Sequence, residues 1–395
     1  MIFEEIKNES AKAFMPTYAR FEFAPVKGEG ACLYDEEGRK FIDFTSGIGV
    51  NALGYGHSAW VKAVGEQAAN LQHISNLFYC ESQTILAKKL TEASGFAGVF
   101  LSNSGAEANE CAIKLARKYS FDKYGLGRGT VLSLTNSFHG RTLSTLKATG
   151  QADFHKYFHP FPEGFAYTSA NDAEALKEAL TGDVCALVME LIQGEGGVLP
   201  LDSAFVKAAR ELCDERGILL IFDEVQTGIG RTGKLFAFEH LGIRPDILTS
   251  AKGLGNGLPL GACLCVEKLK NVFGPGDHGS TFGGNPVACA GACVVLDSLT
   301  PDFLADVLSK GQLIAKMLAD LPAVEEVRGM GLMLGIKLKG IEAKKLAAAC
   351  VEEGLLVLTA KEYLRLLPPL TISREEIEEG MERLKRTMEK QLGNG

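Results

Sequence analysis

Short runs rich in Val, Ile and Leu alternate through the middle of the chain with segments whose apolar residues recur at helical spacing. Val184 to Ile192 reads as a strand, Ser203 to Arg216 as a helix and Ile218 to Phe222 as a strand, which is the order of a βαβ unit. Strands apolar on both faces belong in a parallel sheet covered by helices on either side. Val99 to Leu101, Thr130 to Leu134, Ile247 to Thr249 and Gly261 to Val266 have the same character, so a large central α/β domain is predicted. Ahead of it, Gly30 to Phe44 alternates around the turn Asp35-Glu36-Glu37-Gly38, as a small β-hairpin does. Behind it come a helix over Asp302 to Leu321, a strand over Gly331 to Leu338, a helix over Ile341 to Glu353, a strand over Leu355 to Thr359 and a charged amphipathic helix from Arg374. Residues 51–290 are expected to form the large domain, 291–395 a smaller α/β domain, and 1–50 a segment that packs beside the latter.

Composition narrows the class without naming a chemistry. At 395 residues the chain exceeds the size at which one hydrophobic core usually stops growing, which agrees with two domains. Hydrophobic residues at 46% and charged residues at 23% exclude a disordered chain. A formal net charge of −8 argues against nucleic acid and an anionic membrane as partners, since both require a positive excess. Met1 to Lys7 carries acids where a secretory signal has a basic start, and no apolar run reaches the ~20 residues of a membrane helix. The ten cysteines lie in apolar contexts without a Cys-x-x-Cys, as reduced thiols of a cytosolic protein do.

The chemistry sits where the apolar runs end. Asp223 closes one strand, and Lys252 follows the next among small neighbours, Thr249-Ser250-Ala251-Lys252-Gly253. Such a pair suits pyridoxal phosphate, which needs a lysine to hold it as a Schiff base and an acid to keep its ring nitrogen protonated. Ser104-Gly105-Ala106-Glu107 opens a helix after another strand, either as a cup for the cofactor phosphate or as a plain capped helix start. Phe138 could stack on a planar ring and nearby Arg141 could clamp a carboxylate; a core aromatic and a surface cation are the alternatives. In the segment after Asp223, Val225 could lie against the ring face and Gln226 could bond its hydroxyl. Glu190 and Glu195 end a strand where open α/β sheets bind ligands, and in so apolar a stretch they need partners. Ser280 and Thr281, in the loop opening the helix Pro286 to Leu296, suit a phosphate.

In order and spacing these segments resemble the class III (fold type I) pyridoxal phosphate aminotransferases, within them the group acting on acetylornithine, succinylornithine or ornithine. The resemblance runs from Gly30-Ala31-Cys32-Leu33-Tyr34-Asp35 and Asp43-Phe44-Thr45-Ser46-Gly47-Ile48 to Leu364-Arg365-Leu366-Leu367-Pro368-Pro369-Leu370. It implies an α/β fold with a mostly parallel seven-stranded sheet and a smaller α/β domain built from the two chain ends. It also implies pyridoxal phosphate as cofactor, no metal, and a cytoplasmic homodimer with shared active sites. The implied reaction moves the δ-amino group of N-acetylornithine to 2-oxoglutarate. By the same resemblance Lys252 carries the cofactor and shuttles protons, Asp223 pairs with the ring nitrogen and Phe138 stacks on the ring. Gly105, Ala106 and, from the neighbouring subunit, Thr281 hold the phosphate. Arg141 and Arg365 bind substrate carboxylates, and Glu195 pairs with Arg365 in one half-reaction and releases it in the other. Succinylornithine, ornithine, N-succinyl-diaminopimelate and 4-aminobutyrate remain open as donors, with the small Gly47 favouring an acylated one. One departure is Tyr55-Gly56-His57-Ser58, where the family more often has His-x-His-Pro.

Rival chemistries fail on particular residues. Gly228 to Leu235 matches a phosphate-binding loop except at Leu235, where a hydroxyl must hold Mg²⁺ in a P-loop NTPase. No glycine-rich turn has the strand before it and the acid about 20 residues after it that a dinucleotide fold requires. His155 and His159 lack the glutamate of a zinc helix and read as a surface turn.

Overall fold

A computed structural model describes residues 2–393. Its central sheet has seven strands: β1 (Gly98–Ser102), β2 (Thr130–Leu134), β3 (Phe165–Thr168), β4 (Val184–Met189), β5 (Leu219–Asp223), β6 (Ile247–Ser250) and β7 (Gly261–Cys265). They lie in the order β1-β7-β6-β5-β4-β2-β3, and only β7 runs antiparallel to its neighbours. The carboxyl ends of β2, β4, β5 and β6 therefore share one side of the sheet. That shared side is where the sequence placed its chemistry.

Alternation within the strands builds two helix-covered faces. Leu220 and Phe222 of β5 pack with Phe205, Val206 and Ala209 of the helix α2 (Ser203–Arg216). Leu219 and Ile221 point the other way, onto Cys111, Ala112 and Leu115 of the helix α1 (Gly105–Tyr124). Each such side chain, fully buried, contributes roughly 1.5–3 kcal/mol.

Two expectations are corrected and one strand is added. The run from Val184 does not continue to Ile192: β4 stops at Met189, and Ile192–Gln193 pairs instead with Leu199–Pro200. Glu190 causes the break, since its carboxylate accepts the backbone N–H groups of Phe138 at 2.9 Å and Gly194 at 3.2 Å and turns the chain inward. Leu355 to Thr359 divides into two strands in different sheets: Leu355–Leu356 runs beside Ile42 and Asp43, and Leu358–Ala360 pairs with Tyr363–Leu366. The edge strand β3 escapes sequence patterning because it is short and only half-buried.

Both chain ends meet in one small sheet, where Leu355–Leu356 continues the strands Lys27–Glu29, Cys32–Tyr34 and Lys40–Asp43. The Tyr55 departure has a function there. Its hydroxyl donates to buried Asp43 at 2.7 Å, and its ring packs so close to Gly28 that a Cβ at Gly28 would meet Tyr55 Cγ at 2.5 Å. Among the described residues no single helix is long and apolar enough to cross a membrane; Pro286–Ser298 and Pro301–Ala319 qualify only as a pair, bent by 78°.

Candidate active site

A cavity of about 400 Å³ opens at the shared strand ends, and Asp223, Lys252, Phe138 and Arg141 all line it. Asp223 is 3% exposed, and three groups hold it. Oδ2 accepts from Asn109 Nδ2 at 2.7 Å and faces His139 Nδ1 at 2.8 Å, while Oδ1 accepts from Val225 N at 3.0 Å. Asn109 is fixed in turn by Thr249, whose hydroxyl donates to its Oδ1 at 2.8 Å. Burial alone would raise the Asp223 carboxyl, but the His139 bond and charge, with the Val225 and Asn109 donors, hold it below the usual range. Burial likewise opposes a proton on His139, and Asp223 outweighs it and raises the imidazole. Neither His139 nor Asn109 was a sequence candidate as Asp223's partner. Each lies in a recognised motif or helix, but only the fold brings them to β5.

Lys252 follows β6 with φ of 43°, in the left-handed region. A side chain there costs of order 1–3 kcal/mol and persists where surrounding structure imposes it. Among the described residues its ammonium has no hydrogen-bond or ion-pair partner in the protein. Burial pulls it below the usual lysine value; Glu195 opposes this and Arg365 adds to it.

The first turn of α1 forms the opposite wall. Ser104 caps the helix, its hydroxyl accepting from Glu107 N at 3.2 Å, and Glu107 reaches back to Asn103 N rather than to Ser104. Ser104, Gly105 and Ala106 line the cavity beside Val225 and Gln226. The cap and the cup therefore coexist. A Cβ on Gly105 would stand 2.7 Å from Val225 Cγ1, so the backbone here is bare by necessity.

Arg365 and Glu195 meet just beyond Gln226. Arg365 Nη1 donates to Glu195 Oε1 at 2.6 Å and to Gln226 Oε1 at 3.3 Å, while Gln226 Nε2 donates to Glu195 Oε1 at 3.4 Å. Burial would raise the Glu195 carboxyl, and the Arg365 charge and hydrogen bond keep it low. Among the described residues Arg365 Nε is buried without a partner. Arg141 is exposed on the cavity wall, with its guanidinium over Phe154 at 4.2 Å and Phe138 at 5.5 Å, and among the described residues no carboxylate pairs with it. Glu190 also lines the cavity; burial pushes it up to about 7, and its partners are backbone N–H groups instead of a cation.

Ser280 and Thr281 do not line this chain's cavity. Ser280 Oγ accepts from Gly283 N at 2.9 Å and from Asn103 Nδ2 at 3.2 Å, and Thr281 is exposed. The P-loop look-alike is a series of buried turns in which Arg231 donates to the carbonyls of Leu332 and Pro368, so it opens no helix. His155 Nε2 bonds the Leu146 carbonyl at 2.8 Å, and among the described residues no His, Cys, Asp and Glu cluster could hold a metal.

A lysine and a carboxylate facing one cavity, a bare helix start and two arginines define a transaminase-type site, and comparison with known proteins places the family. The aminotransferase class-III model matches residues 14–388, and the chain belongs to that family. It is 51% identical over 383 residues to the acetylornithine aminotransferase of Haemophilus ducreyi, covering 96% of this chain and 98% of that one. The ornithine aminotransferase of Toxoplasma gondii superposes with a TM-score of 0.95 at 31% identity, over 100% of this chain and 97% of that one. The N-acetylornithine aminotransferase of Stenotrophomonas maltophilia gives 0.85 at 36% identity, over 98% and 100%. Class III aminotransferases depend on pyridoxal phosphate, and the donor set here fits it: an unpartnered lysine, a buried acid held ionised, and bare backbone at a helix start.

Proposed function

We propose that the protein transfers the δ-amino group of N-acetylornithine to 2-oxoglutarate, giving N-acetylglutamate 5-semialdehyde and glutamate. The observation that carries this reading is the single cavity that gathers Lys252, Asp223 and Arg141, with the Arg365–Glu195 pair at its edge. Bound pyridoxal phosphate supplies a carbonyl for the amino group and a ring that takes up electrons. Lys252 Nζ would anchor the cofactor and would carry the proton from the amino-bearing carbon and back; its lowered pKa makes the neutral amine more accessible. Asp223 would keep the ring nitrogen protonated, Phe138 and Val225 would hold the ring, and Gln226 would bond its hydroxyl. Ser104, Gly105 and Ala106 receive the phosphate.

One pocket serves two substrates in turn. Acetylornithine brings one carboxylate and a neutral acetamide, and glutamate brings two carboxylates. With Glu195 closed on Arg365, the acylated donor enters with its carboxylate on Arg141. With Glu195 swung away, Arg365 takes the α-carboxylate of glutamate or 2-oxoglutarate in a two-pronged bond. Gly47 supports an acylated donor less than its size suggests, since it has φ of 65° and glycine suits that backbone whatever the substrate. A panel of acetylornithine, succinylornithine, ornithine, N-succinyl-diaminopimelate and 4-aminobutyrate with 2-oxoglutarate tests the assignment. Acetylornithine is expected to give the highest kcat/KM, and a tenfold preference for another donor would overturn it.

The same reading makes the protein a cytoplasmic homodimer, with 1–50 and 291–395 forming a small domain beside 51–290. Leu77, Phe78, Tyr79 and Phe282 are exposed, at 89%, 62%, 104% and 62%, near the Ser280–Thr281 loop, to which Asn76 is tied by bonds to the Ser280 and Gly283 carbonyls. A second copy covering this patch would bring Ser280 and Thr281 to its own cofactor phosphate. Mixing inactive Lys252→Ala with inactive Thr281→Glu should then restore part of the activity once subunits exchange. Full activity in a strictly monomeric preparation would contradict the shared site.

A further inference from the structure

A second cavity, of about 650 Å³, shares no lining residue with the first, and its wall includes Cys111, Cys263 and Cys265 beside Lys270. Cys263 and Cys265 are two apart on β7 and so point to one face of the sheet, where Cys111 of α1 joins the same buried cluster. Next to them His278 lies between Phe100, at 4.6 Å, and Phe273, at 5.6 Å. Its Nδ1 is 3.0 Å from Lys114 Nζ. An ammonium can only donate, so the imidazole proton is left on Nε2 and can be offered to Cys111.

We propose that Cys111 and Cys263 form a thiol pair that a small peroxide oxidises to a disulfide. Cys263 comes first among the groups that pull the Cys111 thiol below its usual value; burial opposes it, and His278 and Lys114 assist. Cys263 is raised by the same contact and stays a thiol. Three other cysteines behave oppositely: burial pushes Cys185 up to about 11 and Cys213 and Cys350 up to about 12. A thiol held low beside a thiol held high is the arrangement that peroxide attacks selectively. The Cys111 thiolate attacks one peroxide oxygen and becomes a sulfenic acid with release of hydroxide. The Cys263 thiol then displaces water from that sulfur, so two thiols lose two electrons and peroxide is reduced to water. Because Cys111 is 1% exposed, the oxidant must be small. The link would tie α1 to β7, and α1 carries the Gly105–Ala106 cup and Asn109, so the rate should respond.

The formation of the link is independent of the proposed reaction, and only its effect on rate rests on it. Holoenzyme is treated with hydrogen peroxide, blocked with iodoacetamide, digested without reductant and analysed by mass spectrometry. The expected product is a Cys111–Cys263 peptide pair lighter by about 2 Da than its reduced parts and reopened by dithiothreitol. In Cys263→Ser, dimedone should trap the sulfenic acid on Cys111, and in Cys111→Ser neither product should form. Cys111 remaining alkylatable after other cysteines have oxidised overturns the proposal, as does oxidation of Cys111 that never joins Cys263. Transamination should fall as the link forms and recover with dithiothreitol; a link that leaves the rate unchanged overturns the coupling to the active site.

Discussion

The two ends of the catalytic cavity are built on opposite plans. At one end Asp223 is 3% exposed and receives three bonds, from Asn109, His139 and Val225, with Thr249 bracing Asn109 behind them. At the other, Glu195 is 30% exposed, its ion pair with Arg365 rests on one 2.6 Å contact, and Arg365 Nε is buried with no partner among the described residues. Fixed dipoles around a developing charge lower a barrier without reorganising, which suits the end where the chemistry is identical in both half-reactions. A rigid ion pair would be a liability where one substrate needs the positive charge and the other does not, because a buried unpaired charge is costly. On the proposed reading the fixed end carries the reaction and the loose end carries the choice of substrate.

The largest effect should come from removing the group that the fixed end serves. Lys252→Ala is expected to lower turnover by at least about 10³-fold, since both the anchor and the proton carrier are lost. Borohydride should fix the cofactor to Lys252 in the wild type and leave no label at that position in the variant. Wild-type-like turnover without added amine would break the whole comparison.

A smaller effect is expected from loosening the fixed end. His139→Leu removes the group that does most to offset burial at Asp223, and the lost buried bond should cost about 1–3 kcal/mol of stability near pH 7. Asp223 is depressed in the native state, so its stabilisation is complete above the unfolded aspartate range and is lost as pH falls through the lowered native value. Without His139 that loss, and the acid limb of the rate profile, should move to higher pH. An unshifted acid limb in His139→Leu would show that Asp223 does not depend on this neighbour.

These two ends were not equally legible in the sequence. Asp223 stands out because it terminates an apolar run and Lys252 because it follows the next strand among small residues, and strand ends are where an α/β sheet exposes its chemistry. The helix Ser203–Arg216 and the strand Thr130–Leu134 were likewise readable to the residue, since period and length agree there. The clamp on Asp223 was not readable, because Asn109 comes from the second turn of α1 and His139 from the loop after β2, and only the sheet order unites them. Glu190 misled by its charge: a carboxylate paired with two backbone N–H groups leaves no partner residue in the sequence to find. Leu355 to Thr359 looked continuous because hydropathy does not register a strand that changes sheets.

The smallest change in rate, and the sharpest in selectivity, belongs to the loose end. Glu195→Ala should be measured in separate half-reactions, with acetylornithine and with glutamate, alongside a melting curve. A gate predicts that glutamate binds several-fold more tightly, that selectivity for acetylornithine falls by about tenfold, equivalent to roughly 1.4 kcal/mol, and that the melting temperature barely moves. An equal loss in both half-reactions, together with a lowered melting temperature, would make the Glu195–Arg365 pair a fixed support and contradict the division between the two ends.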